Sequence, residues 1–294
     1  MLLATVIWGS AFVSQSVGMD HIGPFTFQAV RCMAAFLGLF VVIAITDCFK
    51  KDGKNFLKRW TDKKLLKAGL LCGIPLFLAC NLQQVGLVDT DAGKSGFLTA
   101  MYIVIVPLIG LFLKRKPTIM MPISVAIAVV GLYFLSCVGV TQINTGDLLT
   151  IGCALMFSVQ IIFVDIFAPE ADALRLNALQ ALVCSVLSSI VMLFTEEPTF
   201  VGIQNCALPL AHAGLLSMGL AYSLQIVGQK DLDTTPAALI MSLESVFAAV
   251  FGALILKERM TGWEILGCCL MFIAVILSQI PVKRKDKETV HPLA

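Results

Sequence analysis

Charge is what this sequence has little of. Only 14% of its 294 residues are Asp, Glu, Lys or Arg, while 58% are hydrophobic. A soluble domain carries about 25% charged residues, so a water-facing surface of this size could not be covered. Disorder is excluded by the same numbers, because disordered chains are poor in apolar residues. Histidine is scarce too: His21, His212 and His291 show no metal-ligand spacing. The ten cysteines include no Cys-x-x-Cys pair and mostly fall inside apolar runs, which speaks against a zinc site or disulfide framework and for small packing residues. A phosphate-binding loop and a dinucleotide fingerprint are both missing, so ATP-driven pumping by this chain alone and dinucleotide chemistry are not expected. No clustered catalytic set stands out. No cofactor, no metal and no enzyme activity are therefore expected.

What is present is apolar sequence, with a mean hydropathy of +0.91. Ten runs long enough to cross a bilayer fall at about 1–18, 24–46, 66–86, 92–113, 119–138, 147–168, 175–195, 207–228, 235–255 and 262–281. His21-Ile22-Gly23-Pro24, Pro117, Asn144-Thr145-Gly146, Pro169-Glu170, Glu196-Glu197-Pro198 and Thr235-Pro236 separate them. The runs do not alternate and are about twice the length of a barrel strand, which excludes a transmembrane barrel. The first run has no basic segment before it and no small-residue cleavage site, so it reads as a true span rather than a signal peptide. Because it starts without flanking charge, a few residues before Met1 are expected.

Placing the N-terminus in the cytoplasm puts 17 of the 21 Lys and Arg residues in cytoplasmic loops and the tail. Lys257 and Arg259 alone fall in the opposite loops, and Arg31 and Lys94 lie within spans. This bias predicts both termini inside a plasma membrane and an even number of spans. The basic loop from Lys50 to Lys67 is read as an anchor to anionic lipid, not as a nucleic-acid site.

The second half resembles the first. LQQVGLVDTD at 82–91 matches LQIVGQKDLD at 224–233 in six of ten positions, at an offset of 142. LKRKPT at 113–118 resembles LKERMT at 256–261, and Gln15 and Phe12 match Gln160 and Phe157 at an offset of 145. Each repeat then holds five spans, and an odd number forces the second copy to cross in the opposite sense. Inverted repeats are the architecture of many secondary transporters, with a site near the midplane. Gene duplication in a channel, an enzyme or a scaffold is the alternative.

The pieces WGSAFVSQ at 8–15, GPFTFQAVR at 23–31, TDAGKSGFLTAMYIVIVPLIG at 90–110 and LESVFAAVFGALILKERMTGWEILG at 243–267 make the chain similar to drug/metabolite transporters of the EamA type, over nearly its whole length. Ser245 stands where that family often has proline, and Arg115 where its first repeat often has glutamate. The resemblance implies an all-α membrane protein of ten helices in two inverted five-helix repeats, here 1–138 and 147–281, with a cytoplasmic tail at 282–294. It further implies a central cavity and export or exchange of small metabolites, without naming the substrate.

An ionisable group inside a span is expensive and therefore a functional candidate. Glu244, near the middle of the ninth span, is a candidate for proton coupling or for pairing a cationic substrate; a structural role is equally open. Arg31 could hold an anionic group, or instead cap carbonyls or pair with Asp89 or Asp91, and Lys94 reads mainly as snorkelling to the interface. Amides offer donors and acceptors without a desolvated charge. Gln15, Asn81, Gln83, Gln160 and Gln225 are candidate substrate contacts, with interhelical hydrogen bonding as the alternative, and Trp8 and Tyr102 are candidate aromatic walls. The expected function is secondary active transport of small polar metabolites such as amino acids or amines, by alternating access. A passive channel or a membrane-embedded enzyme is the alternative. The expected partners are a small-molecule substrate and the lipid bilayer, with a homodimer left open.

Overall fold

The computed structural model describes residues 1–49, 56–90, 92–113, 120–136, 144–255 and 260–280, with backbone alone at 57, 92, 93 and 136. All regular elements among the described residues are helical. Hydrocarbon offers backbone groups no partner outside their own segment, and a helix satisfies them internally. Asp91, Pro117, Cys137, His291, Arg115, Glu258, the start of the basic loop, most of the 113–118 and 256–261 match and the tail at 282–294 lie outside the described residues.

Among the described residues, eight helical stretches are long and apolar enough to cross a membrane. They are α1 (Leu2–Met19), α2 (Pro24–Phe49), α4 (Lys63–Asp89), the pair α5 (Ala92–Ala100) and α6 (Tyr102–Phe112), α8 (Thr145–Phe167), α9 (Ala173–Thr195), a compound stretch from Ala207 to Gln229, and the pair α13 (Thr234–Met241) and α14 (Glu244–Ile255). Short helices α3 (Phe56–Trp60) and α10 (Phe200–Asn205) lie between spans. The fifth and tenth apolar runs form α7 (Met120–Ser136) and α15 (Gly262–Ser278), of 17 residues each. At 1.5 Å per residue these reach about 25 Å, a little short of the roughly 30 Å hydrocarbon core.

Three of the spans are irregular. The fourth breaks at Met101 and the ninth at Ser242-Leu243, where i→i+3 bonds (Met101 N–H to Leu98 O, Leu243 N–H to Ile240 O) tighten the turn. Ser242 Oγ also donates to Leu239 O at 2.8 Å, competing for a helix carbonyl. The eighth span runs as α11 (Ala207–Ala211), a π-helical segment His212–Ala221, and α12 (Tyr222–Gln229). Asn177 of α9 donates its side-chain amide to the carbonyls of Met218 and Gly219 at 3.0 and 2.8 Å, supplying partners where the π register disturbs the backbone ladder.

The helices pack in matched pairs. α2 lies along α9 and α7 along α15; α4 contacts α8 and α9, while the π segment contacts α1 and α2; α1 lies on α14, and α8 on α5 and α6. Glycines permit the closest approaches. A Cβ on Gly9 would sit 2.7 Å from the backbone nitrogen of Ala248, and one on Gly267 would sit 2.6 Å from the carbonyl oxygen of Gly131. Both ends of the bundle are tied by polar contacts. At one end the Glu196 carboxylate accepts from the N–H groups of Phe25 and Thr26 at 2.9 and 2.8 Å, capping α2 from the end of α9. Lys94 pairs there with Asp147 at 2.5 Å, and Asn144 with Asp147 forms the capping box of α8. At the other end Asp47 pairs with both Arg59 and Arg175, and Trp60 packs among Phe36, Phe40 and Phe56 to seat α3 on α2.

Candidate functional site

Polar side chains are costly in these spans, so where they converge matters. Seven of the buried ones, Gln15, Arg31, Gln83, Gln160, Ser217, Gln225 and Glu244, line one cavity of about 40 Å³. The two broken spans bring their interruptions to it. Tyr102 follows the Met101 break and Glu244 opens α14 just after the Ser242-Leu243 break. The Tyr102 hydroxyl donates to Glu244 Oε1 at 3.0 Å, and the residues are 3% and 8% exposed. A carboxylate in the first turn of a helix also gains from the dipole at that end.

The opposite charge comes from α2. Arg31 lines the same cavity and is 3% exposed. Its Nε donates to Gln28 Oε1 at 2.5 Å, one helical turn back, and Gln28 Nε2 donates across to the Cys80 carbonyl of α4 at 2.6 Å. Arg31 therefore takes its polar contact from an amide, and not from Asp89; Asp91 lies outside the described residues. The aromatic wall is built by Trp8 against Tyr222, with ring centroids 5.0 Å apart in an edge-to-face arrangement, and by Phe12 and Phe157.

The amides divide into two groups. Gln160 and Gln225 line the cavity and belong to a chain of bonds. Gln225 Nε2 donates to Gln160 Oε1 at 3.2 Å and to Gln229 Oε1 at 2.9 Å. Gln160 donates to Gln180 at 3.3 Å and Gln180 to Asn177 at 2.9 Å. The chain thus runs from the cavity to the carbonyls of the π segment. In the other group Gln83 donates to Thr99 Oγ1 at 3.0 Å and Gln15 to the Ala11 carbonyl at 3.3 Å. Among the described residues, three buried polar atoms of cavity-lining side chains have no hydrogen-bond partner: Trp8 Nε1, Gln15 Oε1 and Gln225 Oε1. Buried polar atoms are nearly always paired, so each unpaired one calls for an explanation.

Eight of the nine sequence candidates meet here: Trp8, Gln15, Arg31, Gln83, Tyr102, Gln160, Gln225 and Glu244. Asn81 does not. Its amide donates to Phe77 O at 2.8 Å and to Ser188 Oγ at 2.9 Å, joining α4 to α9. Sequence reasoning passed over Ser217 and Met241 of the lining, and over Asp147 as the partner of Lys94. The last had a signal, the Asn-x-x-Asp spacing of the α8 capping box. His212 is bound by two α1 hydroxyls, Ser10 at 3.2 Å and Ser14 at 3.0 Å, which tie the start of the π segment in place. Among the described residues no group of three or more His, Cys, Asp or Glu is arranged to hold a metal ion.

Comparison with known proteins follows the same lines. An "Uncharacterized transporter" of Archaeoglobus fulgidus is 31% identical over 96% of this chain and 85% of its own. The "Uncharacterized transporter YoaV" of Bacillus subtilis is 23% identical over 97% of both chains. The "Threonine/homoserine exporter RhtA" of Escherichia coli is 25% identical over 88% of this chain and 83% of its own. A solved crystal structure shares the fold at a TM-score of 0.74 and 15% identity, covering 94% of this chain and 96% of its own. The model of the EamA-like transporter family matches residues 1–137 and again 144–279. A multi-pass helical bundle with these matches is a transporter, and the chain belongs to the EamA-like family.

Proposed function

We propose that this chain is a secondary transporter of the cell membrane that moves small zwitterionic metabolites, amino acids among them, by alternating access. One observation carries the reading: the Arg31 guanidinium and the Glu244 carboxyl group, both buried, line the same cavity together with three polar atoms that have no partner among the described residues. A substrate with a carboxylate at one end and an ammonium at the other would satisfy both charges. The aromatic wall of Trp8 and Tyr222 would favour the ammonium through its ring faces. The relatives named threonine/homoserine exporters handle molecules of this kind.

The proposed movement is a rocking of two inverted five-helix halves, 1–138 and 147–281, with both termini cytoplasmic. Several features support it. Tyr102 and Glu244 are 142 residues apart, the offset of the 82–91 and 224–233 match, and they touch; so do Cys80 and Tyr222, at 3.9 Å and the same separation. Equivalent residues meet only near a symmetry axis. The breaks in the fourth and ninth spans correspond, and exchanging the halves maps the packing of α4 on α8 onto that of the π segment on α1. Ligand pockets run to roughly 300 Å³ or more, so the present cavity of about 40 Å³ is a contracted form that must widen to admit substrate. Driving energy comes from the substrate gradient or from proton exchange at Glu244.

The test is counterflow of labelled amino acids into proteoliposomes. Saturable counterflow that falls at least tenfold in Glu244→Gln and in Arg31→Gln is expected. Flux without saturation or counterflow would replace the transporter mechanism with a channel.

A further inference from the structure

Arg31 and Arg175 hold corresponding places in the two halves. Each follows its hydrogen-bond acceptor by three residues, Gln28 in one case and Asp172 in the other, and 144 residues separate both acceptors and both arginines. Their helices, α2 and α9, pack along each other. The charges are treated oppositely. Arg175 Nη1 donates to Asp172 Oδ2 at 2.8 Å, and Nη2 pairs with the Asp47 carboxylate, so this guanidinium is neutralised from two sides. Among the described residues no carboxylate lies within ion-pair distance of Arg31. Glu244 lines the same cavity but is not within that distance. The guanidinium carbon lies 5.8 Å from the centroid of the Phe27 ring.

A buried charge without a partner costs several kcal/mol. Gln28 supplies a neutral acceptor and leaves that charge uncompensated. Its geometry is fixed, since it is fully buried and its Nε2 is anchored on the Cys80 carbonyl, which turns Oε1 toward Arg31 Nε. A guanidinium has five donors, and this bond uses one. We infer that Gln28 is a positioning residue: it holds Arg31 by one edge, presents the rest of the fork to the cavity, and, by being an amide where the other half has aspartate, reserves the charge for a substrate carboxylate. The inference rests on the proposed zwitterion site and adds the residue that keeps it receptive. A carboxylate at position 28 would bind Arg31 in place of the substrate.

The experiment uses the purified full-length chain in nanodiscs. Thermal shifts are measured against the twenty common amino acids, and against the matching amines that lack the carboxylate. Wild type is expected to be stabilised by at least one amino acid more than by its amine. Gln28→Glu is expected to weaken that amino acid at least tenfold and the amine less than threefold. Gln28→Met removes the acceptor without adding charge, and is expected to weaken the amino acid selectively but by less. A general packing defect would move both ligands together, so the ratio is the readout. Unchanged selectivity in both variants, with Arg31→Gln still losing amino-acid binding, overturns the role of Gln28 and leaves the zwitterion site standing. If no amino acid stabilises wild type, the site and the inference fall together. If Gln28→Glu does not fold, the selectivity of Gln28→Met decides the matter.

Discussion

The Lys94–Asp147 pair offers a direct measurement of how tightly α5 is held to the start of α8. The side chains are 13% and 2% exposed and their charged atoms are 2.5 Å apart. Replacing Lys94 by Met leaves the Asp147 carboxylate buried without that partner. Breaking a buried pair from one side costs about 3–5 kcal/mol. Asp147 keeps hydrogen bonds from Asn144 N–H at 2.9 Å and Thr90 Oγ1 at 3.0 Å, and it stays in the first turn of α8. The helix terminus returns about 1 kcal/mol, so the expected net loss is about 2–3 kcal/mol. Asp147→Asn preserves the shape of the cap and removes the charge, for an expected loss of about 1–2 kcal/mol. The double variant should lose less than the two single variants together, by about 1–2 kcal/mol, because neither charge is then stranded. The assay is thermal unfolding of the purified chain. At about 2–4 °C per kcal/mol for chains of this order of size, Lys94→Met should melt about 4–12 °C early. Losses that add to within about 0.5 kcal/mol would refute the reasoning, since independent sites add that closely.

Three further outcomes follow from the geometry. Tyr102→Phe removes the 3.0 Å donor to Glu244. A bond to a charged group is worth about 1.5–3 kcal/mol, so the variant should melt about 3–12 °C early at about 2–4 °C per kcal/mol, and apparent substrate affinity in counterflow should change by about tenfold or more. Gly9→Ala places a Cβ 2.7 Å from the Ala248 nitrogen, where no rotamer change relieves the contact; overpacking of this kind costs about 1–3 kcal/mol, visible as early melting and as lost binding at the cavity that the neighbouring Trp8 lines. Asn177→Ala strips a donor from the Met218 and Gly219 carbonyls. Hydrogen exchange should then rise selectively in the π segment and α12, and uniform exchange across all spans would contradict the assigned role of that amide.

How far the sequence reached can be judged residue by residue. The apolar runs coincide with helices because the length of a span and its internal hydrogen bonding are local demands of hydrocarbon. Gln15, Gln83, Gln160, Gln225, Arg31 and Glu244 stood out because polar groups are costly there, and all of them line the cavity. Asn81 carried the same signal and joins α4 to α9 instead. Composition registers that a polar group needs a partner; it does not say whether that partner is a neighbouring helix or a ligand. The broken spans were not legible, since neither Met101 nor Ser242-Leu243 contains the glycine or proline that marks most interruptions. Lys94 seemed a snorkelling lysine because Asp147 lies 53 residues further along, at what read as a loop boundary.

By itself, then, the sequence determined the membrane address, the positions of the apolar spans, the internal repeat and the short set of costly polar side chains. Each follows from local composition or from comparing two stretches of chain. Tertiary structure decided which of those side chains share a cavity, which are spent on helix contacts, and that, among the described residues, Arg175 has carboxylate partners while Arg31 has none. Those outcomes depend on how each helix is rotated about its axis and on which partner, often more than a hundred residues away, faces it across the bundle.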